Sequence, residues 1–133
     1  MKKAFTISII ICLIIIFTGC VFKSGSVEGY QVEIGESSKF SESEIKTAIE
    51  CVIDYFPNFE GCELQKLWYD EERSDAFLDD SDSANTIVLL SFLRVDDSGG
   101  DGSFNPDSTY DNWKWILKRD DNNSKWELKD WGY

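Results

Sequence analysis

Histidine is absent from the sequence. That removes an imidazole general base, an imidazole metal ligand and any Ser-His-Asp triad. Basic residues are scarce, with 13 Lys and Arg against 25 Asp and Glu and a formal net charge of −12. Sequence-independent binding to phosphate backbones depends on basic side chains displacing counterions, so this balance argues against nucleic acid as a partner. No P-loop, dinucleotide fingerprint or zinc-type spacing occurs. The sequence therefore points to no catalytic residue, no cofactor and no metal ligand of the familiar kinds. A chain of 133 residues is also short of two ordinary domains. What is plentiful is acid and aromatic side chains.

The one long apolar run is at the start. Lys2 and Lys3 precede a nearly unbroken apolar stretch from Ala4 to Phe17, followed by Thr18-Gly19-Cys20. A short apolar run behind lysines and before small residues reads as a secretory signal, too short for a stable spanning helix. Phe17-Thr18-Gly19-Cys20 resembles the lipobox of a bacterial lipoprotein signal, with Phe17 in place of the usual Leu. The resemblance implies cleavage before Cys20, diacylglycerol on its sulfur and a cell-membrane anchor on the extracytoplasmic face. More than one acyl chain makes such anchoring stable. Removal of residues 1–19 takes away Lys2 and Lys3 and no acid, leaving 11 basic and 25 acidic groups, a net −14. That charge opposes an anionic leaflet. Residues 20–38, rich in Gly, Ser and Glu, read as a flexible tether in which Tyr30 to Ile34 is a candidate docked stretch.

Residues 39–133 read as one α+β domain. Ser41 and Glu44 form a capping box, and Phe40 and Ile45 are spaced as its hydrophobic staple. Ile45, Ala48, Ile49, Val52, Ile53 and Phe56 then recur on one helical face until Pro57. Cys62 to Tyr69 alternates as a strand. Asp70 to Ala84 reads as an acidic loop with Ala76-Phe77-Leu78 in its middle and room for one helical turn there. Asn85 to Val95 is apolar on both faces, which predicts a central strand covered on two sides. Tyr110 to Arg119 and Lys125 to Trp131 are strands joined by an Asp/Asn turn. The expected architecture is an N-terminal helix packed on a curved, mostly antiparallel four-stranded sheet. One helix covers one sheet face, so the tether, a loop or a second subunit must cover the other, the last implying a homodimer. Trp131-Gly132-Tyr133 is expected to belong to the sheet, because two large aromatics suit a solvated tail poorly.

Leu67-Trp68-Tyr69-Asp70-Glu71-Glu72, Ile87-Val88-Leu89-Leu90-Ser91, the run Ser98 to Pro106, Trp113-Lys114-Trp115-Ile116-Leu117 and Asp130-Trp131-Gly132-Tyr133 resemble, in order and spacing, a family of small Firmicutes lipoproteins. The resemblance covers about Glu44 to Tyr133, with a shorter region from Glu71 to Ala84. It implies a cystatin-like or nuclear-transport-factor-2-like α+β fold and brings no activity with it.

Four groups are candidates for function. Asp96, Asp97, Asp101, Asn105 and Asp107 are oxygen ligands of the kind Ca²⁺ takes, but neither an EF-hand register nor a nonapeptide repeat fits their spacing. The plain reading of that Asp96–Thr109 loop is a glycine-rich connection with solvated acids. Cys51 and Cys62 are either a disulfide in an oxidising compartment or two small buried hydrophobes. Trp68, Trp113, Trp115 and Trp126 fall in strands, as core packing or as a surface for an apolar small molecule or protein partner. Asp70-Glu71-Glu72 and Asp79-Asp80-Ser81-Asp82 read as solvated acidic faces.

The function this pattern leads us to expect is a membrane-anchored, non-catalytic binding or interaction module. The competing class is a small-molecule isomerase or hydrolase with an acid–base site between helix and sheet. A buried carboxylate there would favour the enzyme, whereas an apolar and aromatic lining would favour binding. A purely structural envelope protein is the third class.

Overall fold

The computed structural model describes residues 23–79 and 82–133. The signal segment and Cys20 lie outside the described residues. Among those described, no helix is long and apolar enough to cross a membrane.

The helix α1 (Glu42–Tyr55) starts where its capping box dictates. The Ser41 hydroxyl accepts from the Glu44 amide at 3.1 Å, and the Glu44 carboxylate accepts from the Ser41 amide at 2.7 Å. Two amides that a helix start leaves without partners are thereby satisfied. Ile45, Ala48, Ile49 and Val52 are buried along one face. Phe56, expected as the last helical residue, instead opens a 3-10 turn (Phe56–Asn58), where Pro57 has no amide to continue the α-helix.

Five strands form one open, mixed sheet in the order β1-β2-β3-β4-β5, where the sequence led us to expect four. They are β1 (Gln31–Ile34), β2 (Cys62–Tyr69), β3 (Thr86–Val95), β4 (Thr109–Lys118) and β5 (Glu127–Gly132). The strands β2 to β5 run antiparallel to their neighbours. The extra strand β1 pairs parallel with β2, Gln31 opposite Lys66 and Ile34 opposite Tyr69. Parallel neighbours need a crossover, and α1 supplies it.

The expected tether is thus held on the body well before residue 39. The Gly61 amide donates to the Lys23 carbonyl at 2.8 Å, and the Gly25 amide to that of Pro57 at 3.0 Å. Ser26 exchanges bonds with the Cys62 carbonyl and the Leu64 amide, both at 2.9 Å. A Cβ on Gly25 would stand 2.2 Å from the Phe56 carbonyl oxygen, so this close approach requires glycine.

Strand β3 is buried on both faces, as its pattern predicted. Ile87, Leu89 and Leu93 join Phe40, Phe56, Leu64, Leu67, Trp115 and Leu117 under α1. Val88 and Leu90 are buried on the opposite face. A short helix α2 (Glu71–Asp75) covers that side. The buried Ser74 hydroxyl accepts from the Val88 amide at 3.0 Å, Arg73 Nη2 donates to Asn112 Oδ1 at 2.6 Å, and the Lys114 ammonium lies 4.7 Å from the Phe77 ring centre. Of the three expected covers, tether, loop or second subunit, the loop supplies this one. Asp70 caps α2 by accepting from the Arg73 amide at 3.0 Å.

Candidate functional site

The turn after α1 places Phe59 at the hub of an aromatic cluster. Its ring centre lies 5.0 Å from that of Trp115, 5.7 Å from Trp131, 6.1 Å from both Tyr55 and Phe104, and 6.4 Å from Trp113. The β4–β5 register sets Trp131 directly opposite Trp115 and Gly132 opposite Lys114. Trp131 and Gly132 therefore belong to the sheet, whereas Tyr133, expected there too, lies one residue past β5 and packs on Tyr110 at 5.7 Å and Trp113 at 5.5 Å.

Phe104 arrives from the Gly/Asp loop. Gly99 and Gly100 adopt φ of +71° and +67° there. A Cβ on Gly100 would meet the Phe104 ring at 2.9 Å. Asp96 accepts from the Ser98 amide at 2.9 Å, and Asp101 accepts from the Ser103 amide at 2.9 Å. Both carboxylates also accept from the hydroxyls of those serines. These Asp-Ser turns fold the loop so that Phe104 reaches Tyr110 and Trp113, at 5.2 and 5.5 Å. Among the described residues no group of three or more Cys, Asp or Glu is placed to hold a metal ion.

Together these segments enclose a cleft of about 450 Å³. Tyr55, Phe59, Phe104, Tyr110, Trp113, Trp131 and Tyr133 line it, with Asn58, Glu60, Asp101 and Ser103 completing the wall. No Lys or Arg of the described residues is among them. Ser103 holds the Asp101 carboxyl below the usual carboxylate range through its hydroxyl and amide. Burial, then Tyr110 and Asp111, push the Tyr133 phenol upward. Trp113 Nε1 is buried without an acceptor among the described residues.

Of the four tryptophans singled out by sequence, only Trp113 lines this cleft. Trp115 is fully buried behind it, donating from Nε1 to the Ser91 hydroxyl at 2.8 Å, and is core. Trp126 packs at the other end of α1, where its Nε1 donates to the Glu44 carbonyl at 3.0 Å. Trp68 lies in a shallower depression on the second sheet face, with Lys66, Arg73, Asp70 and Asp111 giving it mixed charge. Phe59, Phe104, Tyr110 and Tyr133 carry the site without having been singled out. The clue available for Phe104 and Tyr110 was the appearance of aromatics within and just after a Gly/Asp/Ser loop.

The remaining candidates have structural roles. Cys51 and Cys62 are free thiols, so the disulfide alternative is not realised. Each has its own acceptor, the Trp126 carbonyl at 3.7 Å for Cys51 and the Glu60 carbonyl at 3.6 Å for Cys62. Burial, then Asp96 and Asp101, push the Cys62 thiol to about 11. Glu71, expected on a solvated face, accepts from the Ser38 amide at 3.0 Å, and from the Ser37 hydroxyl and Lys39 amide at 3.1 Å each. It ties the entry of α1 to α2. The buried polar residues among those described are Ser74, Thr86 and Ser91. The interior between α1 and the sheet is lined by apolar and aromatic side chains.

In comparisons with known proteins, no family model, curated protein or solved structure matches this chain.

Proposed function

We propose that this chain is a membrane-anchored extracytoplasmic lipoprotein whose folded body is a non-catalytic binding module, with the aromatic cleft as its site. One observation carries the binding half. Trp131 and Tyr133 are 39% and 68% exposed on the wall of a concave, aromatic-lined space. Large aromatics kept in solvent around a cavity of ligand size are the usual mark of a binding surface. The apolar helix–sheet interior supports binding over acid–base catalysis, which needs a carboxyl whose pKa is split from its partner by burial. Glu60 and Asp101 stand in the cleft wall, not in that interior. The anchoring half rests on Lys2-Lys3, the apolar run and Cys20. The helix laid across a meander of strands supports a cystatin-like architecture and, with the sequence motifs, kinship to the Firmicutes lipoproteins.

The test uses the full chain and an uncharged naphthylamine dye that fluoresces in apolar sites. Saturable binding by the parent and its loss in Tyr133→Ala is the expected result. Metabolic labelling with a fatty-acid analogue should mark the parent and not Cys20→Ala, which leaves the membrane fraction. Dye binding indifferent to Tyr133→Ala, or unchanged labelling of Cys20→Ala, would overturn the corresponding half.

A further inference from the structure

We infer that the aromatic cleft takes a small organic cation bearing an alkylammonium head. This deepens the binding reading and rests on it. Aromatic faces carry a negative quadrupole and attract cations within about 6 Å of the ring centre. The rings here come from the turn after α1, from β4 and from the end of β5. Several pairs meet steeply, Tyr110 to Trp113 at 83°, Phe59 to Trp131 at 70° and Trp113 to Tyr133 at 69°, while Tyr55 to Trp131 and Tyr110 to Tyr133 are tilted at 40° and 37°. Rings so arranged form corners, not a flat platform. A compact, roughly spherical head touches several faces of a corner at once, whereas a planar ligand stacks on only one.

Charge points the same way. Glu60 and Asp101 are the ionisable carboxyl groups in the wall, and no Lys or Arg of the described residues lines it. Elsewhere the protein supplies its own cations to its rings. Lys66 lies 5.3 Å from the Trp68 ring centre, Lys114 4.7 Å from Phe77, and Arg119 4.4 Å from Trp126. The largest aromatic cluster of the described residues has no such side chain over its rings. The Ser103 hydroxyl and amide hold the Asp101 carboxyl below its ordinary range, and the charge of Asp111 acts on Tyr133. A space of about 450 Å³ suits a small molecule.

The experiment is calorimetric titration of the full chain in a nonionic polyoxyethylene detergent at fixed ionic strength. The probes are choline and neohexyl alcohol, its uncharged carbon isostere. Choline should bind saturably and roughly tenfold tighter than the alcohol. The double variant Glu60→Gln/Asp101→Asn, which keeps the shape of the wall, should lose most of that preference and retain alcohol binding. Tyr133→Ala should weaken both ligands. Vesicles of phosphatidylcholine should not displace choline, because the occupant is the free cation and not a lipid headgroup. Equal affinities, an undiminished preference in the double variant, or binding of the vesicles without binding of choline would each overturn the inference. If the alcohol and the naphthylamine dye still bind without a preference for charge, the cation reading fails and the cleft remains a binding site. If no probe saturates, both readings fall.

Discussion

Arg119 and Glu44 lie 75 positions apart, and their side chains meet at 2.8 Å between Nη1 and Oε1. Glu44 also caps α1, and its carbonyl accepts from Trp126 Nε1. The guanidinium lies 4.4 Å from the Trp126 ring centre and 5.5 Å from that of Phe40, with only 5% of its side chain exposed. The start of α1 is thus pinned to the β4–β5 hairpin by one cation shared between a carboxylate and two rings.

Replacing that cation should be costly. Arg119→Met is expected to lower stability by about 2–3 kcal/mol, below the full cost of breaking a buried pair because Glu44 is partly solvated. Arg119→Lys keeps the charge but loses the planar stack, so it should fall between parent and Arg119→Met. Chemical denaturation of the three proteins reads this directly. Equal midpoints would show that the pair contributes nothing.

Stability should fall in acid. The Ser41 amide, then Arg119, hold the Glu44 carboxyl below its ordinary value, and the Ser38 amide leads the same effect on Glu71. A carboxyl lowered in the folded state contributes stability that is present above its unfolded pKa and lost as pH falls through the folded one. The free energy of unfolding should therefore hold from neutrality to about pH 5 and decline below about pH 4.5. At the other extreme, burial raises the Tyr69 phenol from its ordinary 10.0 to about 12. Its contribution is complete below about pH 10 and is lost as pH rises through the folded value. Urea titrations across both ranges test the two signs. Glu44→Gln and Tyr69→Phe should flatten the acid and alkaline limbs respectively.

Ser74→Ala leaves the Val88 amide without its acceptor under a covered sheet face. The expected loss is about 1–3 kcal/mol, the cost of a buried donor left unpaired. Hydrogen exchange should quicken at Val88 first. Unchanged exchange there would mean that α2 does not seal this face.

Deleting Trp131 to Tyr133 removes a ring packed 5.0 Å from Tyr55 and 5.7 Å from Phe59. Full burial would set the cost at about 3–5 kcal/mol, and the partial exposure of Trp131 lowers the expectation to about 2 kcal/mol. Thermal melting should shift by several degrees. A shift below about 2 °C would show that the end of β5 adds little to the fold.

The two thiols should differ in reactivity. Cys62 is buried and held protonated well above neutral pH, while Cys51 is partly exposed. Alkylation followed by mass spectrometry should mark Cys51 first and Cys62 only on unfolding. Recovery of a Cys51–Cys62 crosslinked peptide from the native protein would contradict the free-thiol structure.

What could be read from the sequence was what is local. The capping box and the helical period set α1, and the alternation from Cys62 to Tyr69 gave the bounds of β2. Tyr30 to Ile34 was expected to dock and does so as β1, but four residues carry too little pattern to be read as a strand, and their partner lies beyond a whole helix. The helical turn in the acidic loop was foreseen but came earlier, since Asp70 acts as its cap. Trp113 was among the four tryptophans singled out. The rest of the cleft was not, because Phe59 reaches it through the turn at Pro57 and Tyr133 through the register of the last strand. Trp68 and Trp126 resemble Trp113 in sequence, and only long-range pairing separates them.

The bond from Gly61 to the carbonyl of Lys23 sets the length of the leash. If Cys20 bears the lipid, only Val21 and Phe22 separate the modified residue from backbone bonded to the turn before β2. Fully extended, three peptide units reach roughly 11 Å. That is comparable to the distance over which physiological salt screens a charge, about 8 Å. An acidic body moored in that way would stay within roughly one or two screening lengths of an anionic leaflet. Repulsion would instead turn it about its mooring, so its orientation, more than its distance from the bilayer, would respond to ionic strength.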